Sequence, residues 1–138
     1  MTVGTTLDPG ERSWDQLVAT RGTRTPLRTD AESLAVLLYT SGTSGPPKGV
    51  PLTHANVCAS AAHIAASLLL TPADRCLQVM PLFHIHGLIA AVLSSLYAGA
   101  EICCTPGFNA LQFFGQLRDV RPTWYTAVPS MHQAIAQR

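Results

Sequence analysis

The sequence predicts an α/β fold built on a mainly parallel sheet with crossover helices. Short apolar runs at residues 34–39, 76–80, 101–104 and 123–128 alternate with segments whose apolar residues recur at helical spacing, the pattern of crossover units. The run Leu34-Ala35-Val36-Leu37-Leu38-Tyr39 is continuously apolar and bounded by polar residues, as expected of a strand buried on both faces. Composition agrees: 47% of the 138 residues are apolar and only 12% charged, against roughly 25% charged in ordinary soluble domains.

Residues 1–33 are rich in Thr, Arg, Asp, Gly and Pro and read as a leading segment with one short helix around Trp14, Leu17 and Val18; residues 34–138 read as the domain proper. After the strand at 34–39, the loop from Thr40 to Gly49 has a composition that excludes helix and strand. Thr53 then caps a helix whose stripe is Val57, Ala61, Ile64, Ala65 and Leu68, ending before Thr71-Pro72. A strand at 76–80 leads through Pro81-Leu82-Phe83-His84-Ile85-His86-Gly87 into a helix over 88–97 that Gly99 stops. After the strand at 101–104, Asn109 is the expected cap of a helix using Leu111, Phe114, Leu117 and Val120. Arg121-Pro122 closes that helix before the strand at 123–128, and Pro129-Ser130 opens the last one.

The charge balance excludes some partners. Nine basic against eight acidic residues give a net charge of +1, too little to draw in nucleic acid or an anionic membrane. No apolar stretch reaches the 18 or so residues that span a bilayer, and Asp8, Glu11, Arg12 and Asp15 stand where a signal peptide needs an apolar run. Cys58, Cys76, Cys103 and Cys104 lack C-x-x-C spacing and sit among apolar residues, which predicts reduced thiols and a cytoplasmic chain, or a peroxisomal one in a eukaryote. Between Gly49 and Leu117 the only charged residues are Asp74, Arg75 and Glu101, so this stretch reads like the interior of something larger.

Chemistry concentrates where the loops follow the strands, because ligands of open α/β sheets gather outside the carboxyl ends. Thr40, Ser41, Gly42, Thr43, Ser44, Gly45 and Lys48 supply hydroxyls, free backbone N–H groups and one mobile cation, the parts of a phosphate cradle; a flexible surface loop is the alternative. A Walker A loop is excluded, since Pro47 stands where its second glycine belongs. Lys48 is the only lysine, which marks it as placed. His84 and His86 would face one way if their segment were extended, making a metal pair conceivable, but no third ligand is near in sequence and no metal site is expected. For His86 a helix-start residue beside Gly87 and a substrate contact stand equal; His54, His63 and His132 read as ordinary helix or helix-start histidines.

The run Tyr39-Thr40-Ser41-Gly42-Thr43-Ser44-Gly45-Pro46-Pro47-Lys48-Gly49-Val50 closely resembles the signature loop of the adenylate-forming (AMP-binding) superfamily, which contains acyl-CoA synthetases, peptide-synthetase adenylation domains and luciferases. The resemblance spans residues 31–138 and implies part of the large N-terminal domain of an ATP-dependent, AMP-forming carboxylate–CoA ligase. It assigns the β- and γ-phosphates of ATP to Thr40, Ser41, Gly42, Thr43, Ser44, Gly45 and Lys48, with Ser44 where many members carry Thr. It also sets His84 beside the acyl carboxylate and adenylate, with His86 nearby still open between substrate contact and helix start, and gives catalytic weight to Lys48 and His84. The blocks 81–88 and 123–133 look most similar to the oxalate–CoA ligase branch, implying a small acid such as oxalate as substrate. Also implied are Mg2+ bridging the phosphates and CoA as co-substrate. The family's magnesium Glu, ribose Asp, hinge Arg and C-terminal catalytic Lys have no counterpart here, so the chain alone is expected to be inactive without the remainder of a parent enzyme. A non-catalytic nucleotide- or phosphate-binding module is the alternative.

Overall fold

The computed structural model describes residues 14–19, 28–40 and 45–138. A short helix, α1 (Trp14–Ala19), falls in the leading segment as expected. The apolar run forms strand β1 (Leu34–Thr40), but its surroundings differ from the expectation. It pairs antiparallel with β2 (Lys48–Thr53) in a hairpin of two strands, and Leu37 and Tyr39 remain 48% and 70% exposed. Burial on both faces requires layers on both sides, and this hairpin packs against α2 (His54–Ser67).

The strand β2 overturns the reading that the loop composition excludes strand as far as Gly49. Pro51 lies within it opposite Leu37, an arrangement open to a strand with only one neighbour, where a missing N–H need not break a ladder. Immediately after it, Thr53 caps α2 as predicted. Its hydroxyl accepts the Asn56 N–H (3.2 Å) and the Asn56 side chain accepts the Thr53 N–H (3.1 Å), a reciprocal box. The next orphan donors, His54 and Ala55 N–H, reach the carbonyls of Ser33 and Ala31 at 3.1 and 2.8 Å, tying the helix start to the hairpin's entrance. Val57, Ala61 and Ala65 are buried, whereas Leu68 lies past the helix end and is exposed.

The second sheet is parallel, with β3 (Arg75–Gln78) between β4 (Glu101–Cys104) and β5 (Trp124–Tyr125). Leu77 and Val79 point into a core with Met80, Phe113, Ala127 and Ile135, beneath α4 (Phe113–Val120) and α5 (Pro129–Ala136). The opposite face meets a π-helix, His86–Leu93, which runs on into α3 (Ser94–Tyr97) and packs against α2. Helix was expected at 88–97; the wider winding was not, because periodicity does not separate π from α over so short a span. Gly99, at φ +73°, ends it as predicted.

Two further expectations are corrected. Asn109 does not cap α4: its Oδ1 accepts the Leu111 N–H (2.9 Å) in a local turn, and the helix begins only at Phe113. The core-facing stripe is Phe113, Leu117 and Val120, so the expected Leu117 and Val120 meet the core while Leu111 and Phe114 are exposed. The strand expected over 123–128 shortens to Trp124–Tyr125. Of the thiols, Cys76 is buried but Cys58 and Cys104 are exposed.

The sparse charges gather at the amino ends of the strands. Arg75 meets Glu101 through Nε and Nη2, both 2.8 Å from Oε2, and its Nη1 donates to the Val120 carbonyl at the end of α4 (2.7 Å). Asp74 accepts the Thr71 N–H (2.8 Å), the Thr71 hydroxyl (2.9 Å) and the Thr123 hydroxyl (2.8 Å). These bonds, led by the Thr71 N–H and then the Thr123 hydroxyl, hold its carboxyl below the usual carboxylate range.

Candidate functional site

The hairpin presents the ends of its loop together. Thr40 pairs with Lys48 in register, and the Thr40 hydroxyl points at the Lys48 carbonyl at 3.5 Å, so residues 41–47 leave and return at one place. Thr40, Gly45 and Lys48 are exposed. Ser41, Gly42, Thr43 and Ser44 lie outside the described residues.

At the carboxyl end of the parallel sheet, Gln78 organises the loops that sequence singled out. It is 3% exposed, and its Nε2 donates to the Met80 carbonyl (2.9 Å) and more weakly to that of Gly87 (3.4 Å), while Oε1 accepts the Met80 N–H (3.2 Å). Its backbone carbonyl accepts both the N–H (3.2 Å) and the hydroxyl (3.0 Å) of Thr105, the residue after β4. A buried amide with every polar group engaged is a rigid bracket. Gly87 completes it: a Cβ there would collide with the Pro81 carbonyl and lie 3.1 Å from Gln78 Nε2.

Held this way, residues 81–84 form a turn rather than an extended segment, closed by the His84 N–H to the Pro81 carbonyl (3.2 Å). The geometry that would have aimed His84 and His86 alike, and with it the sequence argument for a metal pair, is absent. His84 is exposed with its ring 4.4 Å from that of Phe83. His86 is half-buried as the first residue of the π-helix, and its Nε2 lies 2.7 Å from Thr126 Oγ1, just after β5. His132 goes elsewhere, its Nδ1 lying 3.2 Å from the Tyr125 hydroxyl, whose ring packs edge-on to Phe113. Among the described residues no hydrogen bond joins the hairpin mouth to the His84–His86 turn.

Sequence reasoning missed Gln78 and Thr126. The first left a trace, being the polar residue in an apolar strand; the second reads simply as a β-branched strand former. Among the described residues the hairpin mouth presents the Thr40 hydroxyl and the exposed Lys48. Neither it nor the His84–His86 turn brings carboxylates, and among the described residues no group of three metal-ligating side chains converges.

The family model of AMP-binding enzymes matches residues 3–138. The chain belongs to that family. The oxalate–CoA ligase of Arabidopsis thaliana is 47% identical over 106 residues, covering 75% of this chain and 21% of that protein. A sulfoacetate–CoA ligase of Cupriavidus necator is 36% identical over 124 residues, covering 89% and 24%. Among solved structures, apo MatB from Rhodopseudomonas palustris superposes with a TM-score of 0.82 at 27% identity, over 90% of this chain and 24% of that one. The Bacillus subtilis o-succinylbenzoate CoA synthetase in complex with its acyl-adenylate intermediate gives 0.73 at 34%, over 79% and 28%. The chain thus spans about a fifth of the length of the curated relatives it matches. It carries the AMP-binding fold with no helix, among the described residues, long and apolar enough to cross a membrane.

Proposed function

We propose that this AMP-binding chain is the phosphate-loop and acyl-site portion of an ATP-dependent carboxylate–CoA ligase acting on a small acid such as oxalate, and that it is inactive alone. The family match over residues 3–138 carries the reading. In the parent reaction a carboxylate oxygen attacks the α-phosphorus of ATP, the bond to the β-phosphate bridge breaks, and pyrophosphate leaves. The CoA sulfur then attacks the acyl carbon, giving up its proton to solvent as AMP departs.

Positioning and charge stabilisation dominate such transfers, so a loop that supplies N–H groups, hydroxyls and one ammonium is a sufficient contribution. Thr40, Ser41, Gly42, Thr43, Ser44, Gly45 and Lys48 take the phosphates, and Lys48 offsets charge on the leaving pyrophosphate. His84 and His86 border the carboxylate. Among the described residues no three metal-ligating side chains converge to hold magnesium.

The choice of a small acid rests on the 47% identity to an oxalate–CoA ligase, set against 36% to a long-chain-fatty-acid–CoA ligase of Bacillus subtilis. Comparing oxalate, malonate, acetate and octanoate with the full-length ligase tests it, and a higher kcat/KM for octanoate than for oxalate overturns it. The chain alone should show no carboxylate-dependent exchange between pyrophosphate and ATP. Titration with ATP and pyrophosphate separates the binding-module alternative, which requires micromolar affinity without exchange.

A further inference from the structure

We infer that Thr126 is a positioning residue for the acyl site: its hydroxyl donates to His86 Nε2, fixing the imidazole as the Nδ1–H form and presenting that N–H to a carboxylate of the acid substrate. The inference rests on the proposed ligase reading for the identity of the ligand and for the direction of the bond, since a threonine hydroxyl can donate or accept and only an accepting Nε2 leaves an Nδ1–H for a carboxylate; the pairing itself rests on geometry. Strands β3 and β5 are neighbours, yet the segments that follow them leave to opposite faces of the sheet. The π-helix after β3 starts on the face that carries Gln78, while α5 after β5 covers the core around Leu77 and Val79. The carboxyl ends of strands whose following segments diverge in this way are the place where open α/β sheets bind ligands.

The hydrogen bond between His86 and Thr126, at 2.7 Å and 40 residues apart in sequence, joins the two diverging segments. Thr126 holds the ring at Nε2, while the buried Gln78 amide on the Gly87 carbonyl and the absence of room for any side chain at position 87 fix the backbone beside it. Among the described residues Nδ1 has no partner within the chain. An imidazole fixed at one nitrogen and unoccupied at the other, in a stretch nearly devoid of charge, suits a donor to an incoming carboxylate. Successive side chains divide the labour, since Tyr125 turns to Phe113 and His132 while Thr126 turns to His86.

Two measurements test this. On the chain itself, nitrogen NMR of the His86 ring above its titration range should show the Nδ1–H form. Thr126→Val should move it toward Nε2–H and Thr126→Ser should keep it, with the β3 amide signals unchanged in both. In the full-length ligase, Thr126→Val should raise KM for the acid about 2- to 10-fold, the range for one neutral hydrogen bond, with kcat little altered, and Thr126→Ser should restore it. An Nε2–H ring in the unsubstituted chain, or one indifferent to Thr126→Val, overturns the inference whatever the enzyme does. If the ring responds but KM for the acid does not, the positioning role is overturned. If His86→Ala also leaves KM unchanged, the placement of His86 at the substrate fails as well.

Discussion

Replacing Gly87 with alanine tests the bracket that sets the site. The added Cβ meets the Pro81 backbone carbonyl, which cannot swing aside like a side-chain end, and crowds Gln78 Nε2 at 3.1 Å. Overpacking of this kind costs about 1–3 kcal/mol. Displacing Gln78 also weakens its bonds to the Met80 and Gly87 carbonyls, each worth about 1 kcal/mol. The expected loss is about 2–4 kcal/mol, a large share of the roughly 5–15 kcal/mol that holds a domain together. Gly115→Ala is the internal control: it lies in α4 with nothing within 4 Å of the new Cβ, so helix propensity alone should stabilise by about 0.5–1 kcal/mol. Urea unfolding followed by circular dichroism should move the two midpoints in opposite directions at a constant slope. A Gly87→Ala midpoint equal to the parent's would refute the steric argument, and with it the claim that Gln78 and Gly87 together fix the turn.

In the full-length ligase, Lys48→Ala should lower turnover about 10- to 1000-fold, the scale of one lost transition-state charge contact, while this exposed residue's stability contribution stays within about 0.5 kcal/mol; unchanged adenylation kinetics would point to an ordinary loop lysine. Because Asp74 is held below its unfolded value of 3.8, its stabilising bonds operate fully above that value and are lost as pH falls through the lower folded one. Asp74→Asn should therefore flatten the acid limb of a stability–pH curve, and an unaltered limb would count against it. Burial pushes the Cys76 thiol up from 9.0 to about 11, so a disulfide reagent should modify exposed Cys58 and Cys104 first and reach Cys76 only on unfolding. The same shift means that stability contributed by the protonated thiol declines between pH 9 and about 11, which Cys76→Ala should abolish in alkaline unfolding curves.

Features set by residues a few positions apart could be read from the amino acids alone. Thr53 caps α2 because Asn56, three residues on, completes the box, and Gly99 stops a helix because it alone adopts a left-handed φ without strain. Strands formed at the apolar runs and the parallel sheet followed from their alternation with helices. The lone lysine and the hydroxyl-rich loop marked one half of the candidate site for the same local reason. What the sequence left undetermined depends on distant partners. Whether the run at Leu34 is buried turns on how many layers cover it, and the pairing that makes β2 a strand comes from β1 rather than from its own proline and glycine. Phe113 and Phe114 are chemically alike and adjacent, so only the start of α4 decides which enters the core. The other half of the site lies in this class. A threonine after one strand and a histidine after another meet only because the sheet sets β5 beside β3, and no local pattern announces a contact 40 residues apart.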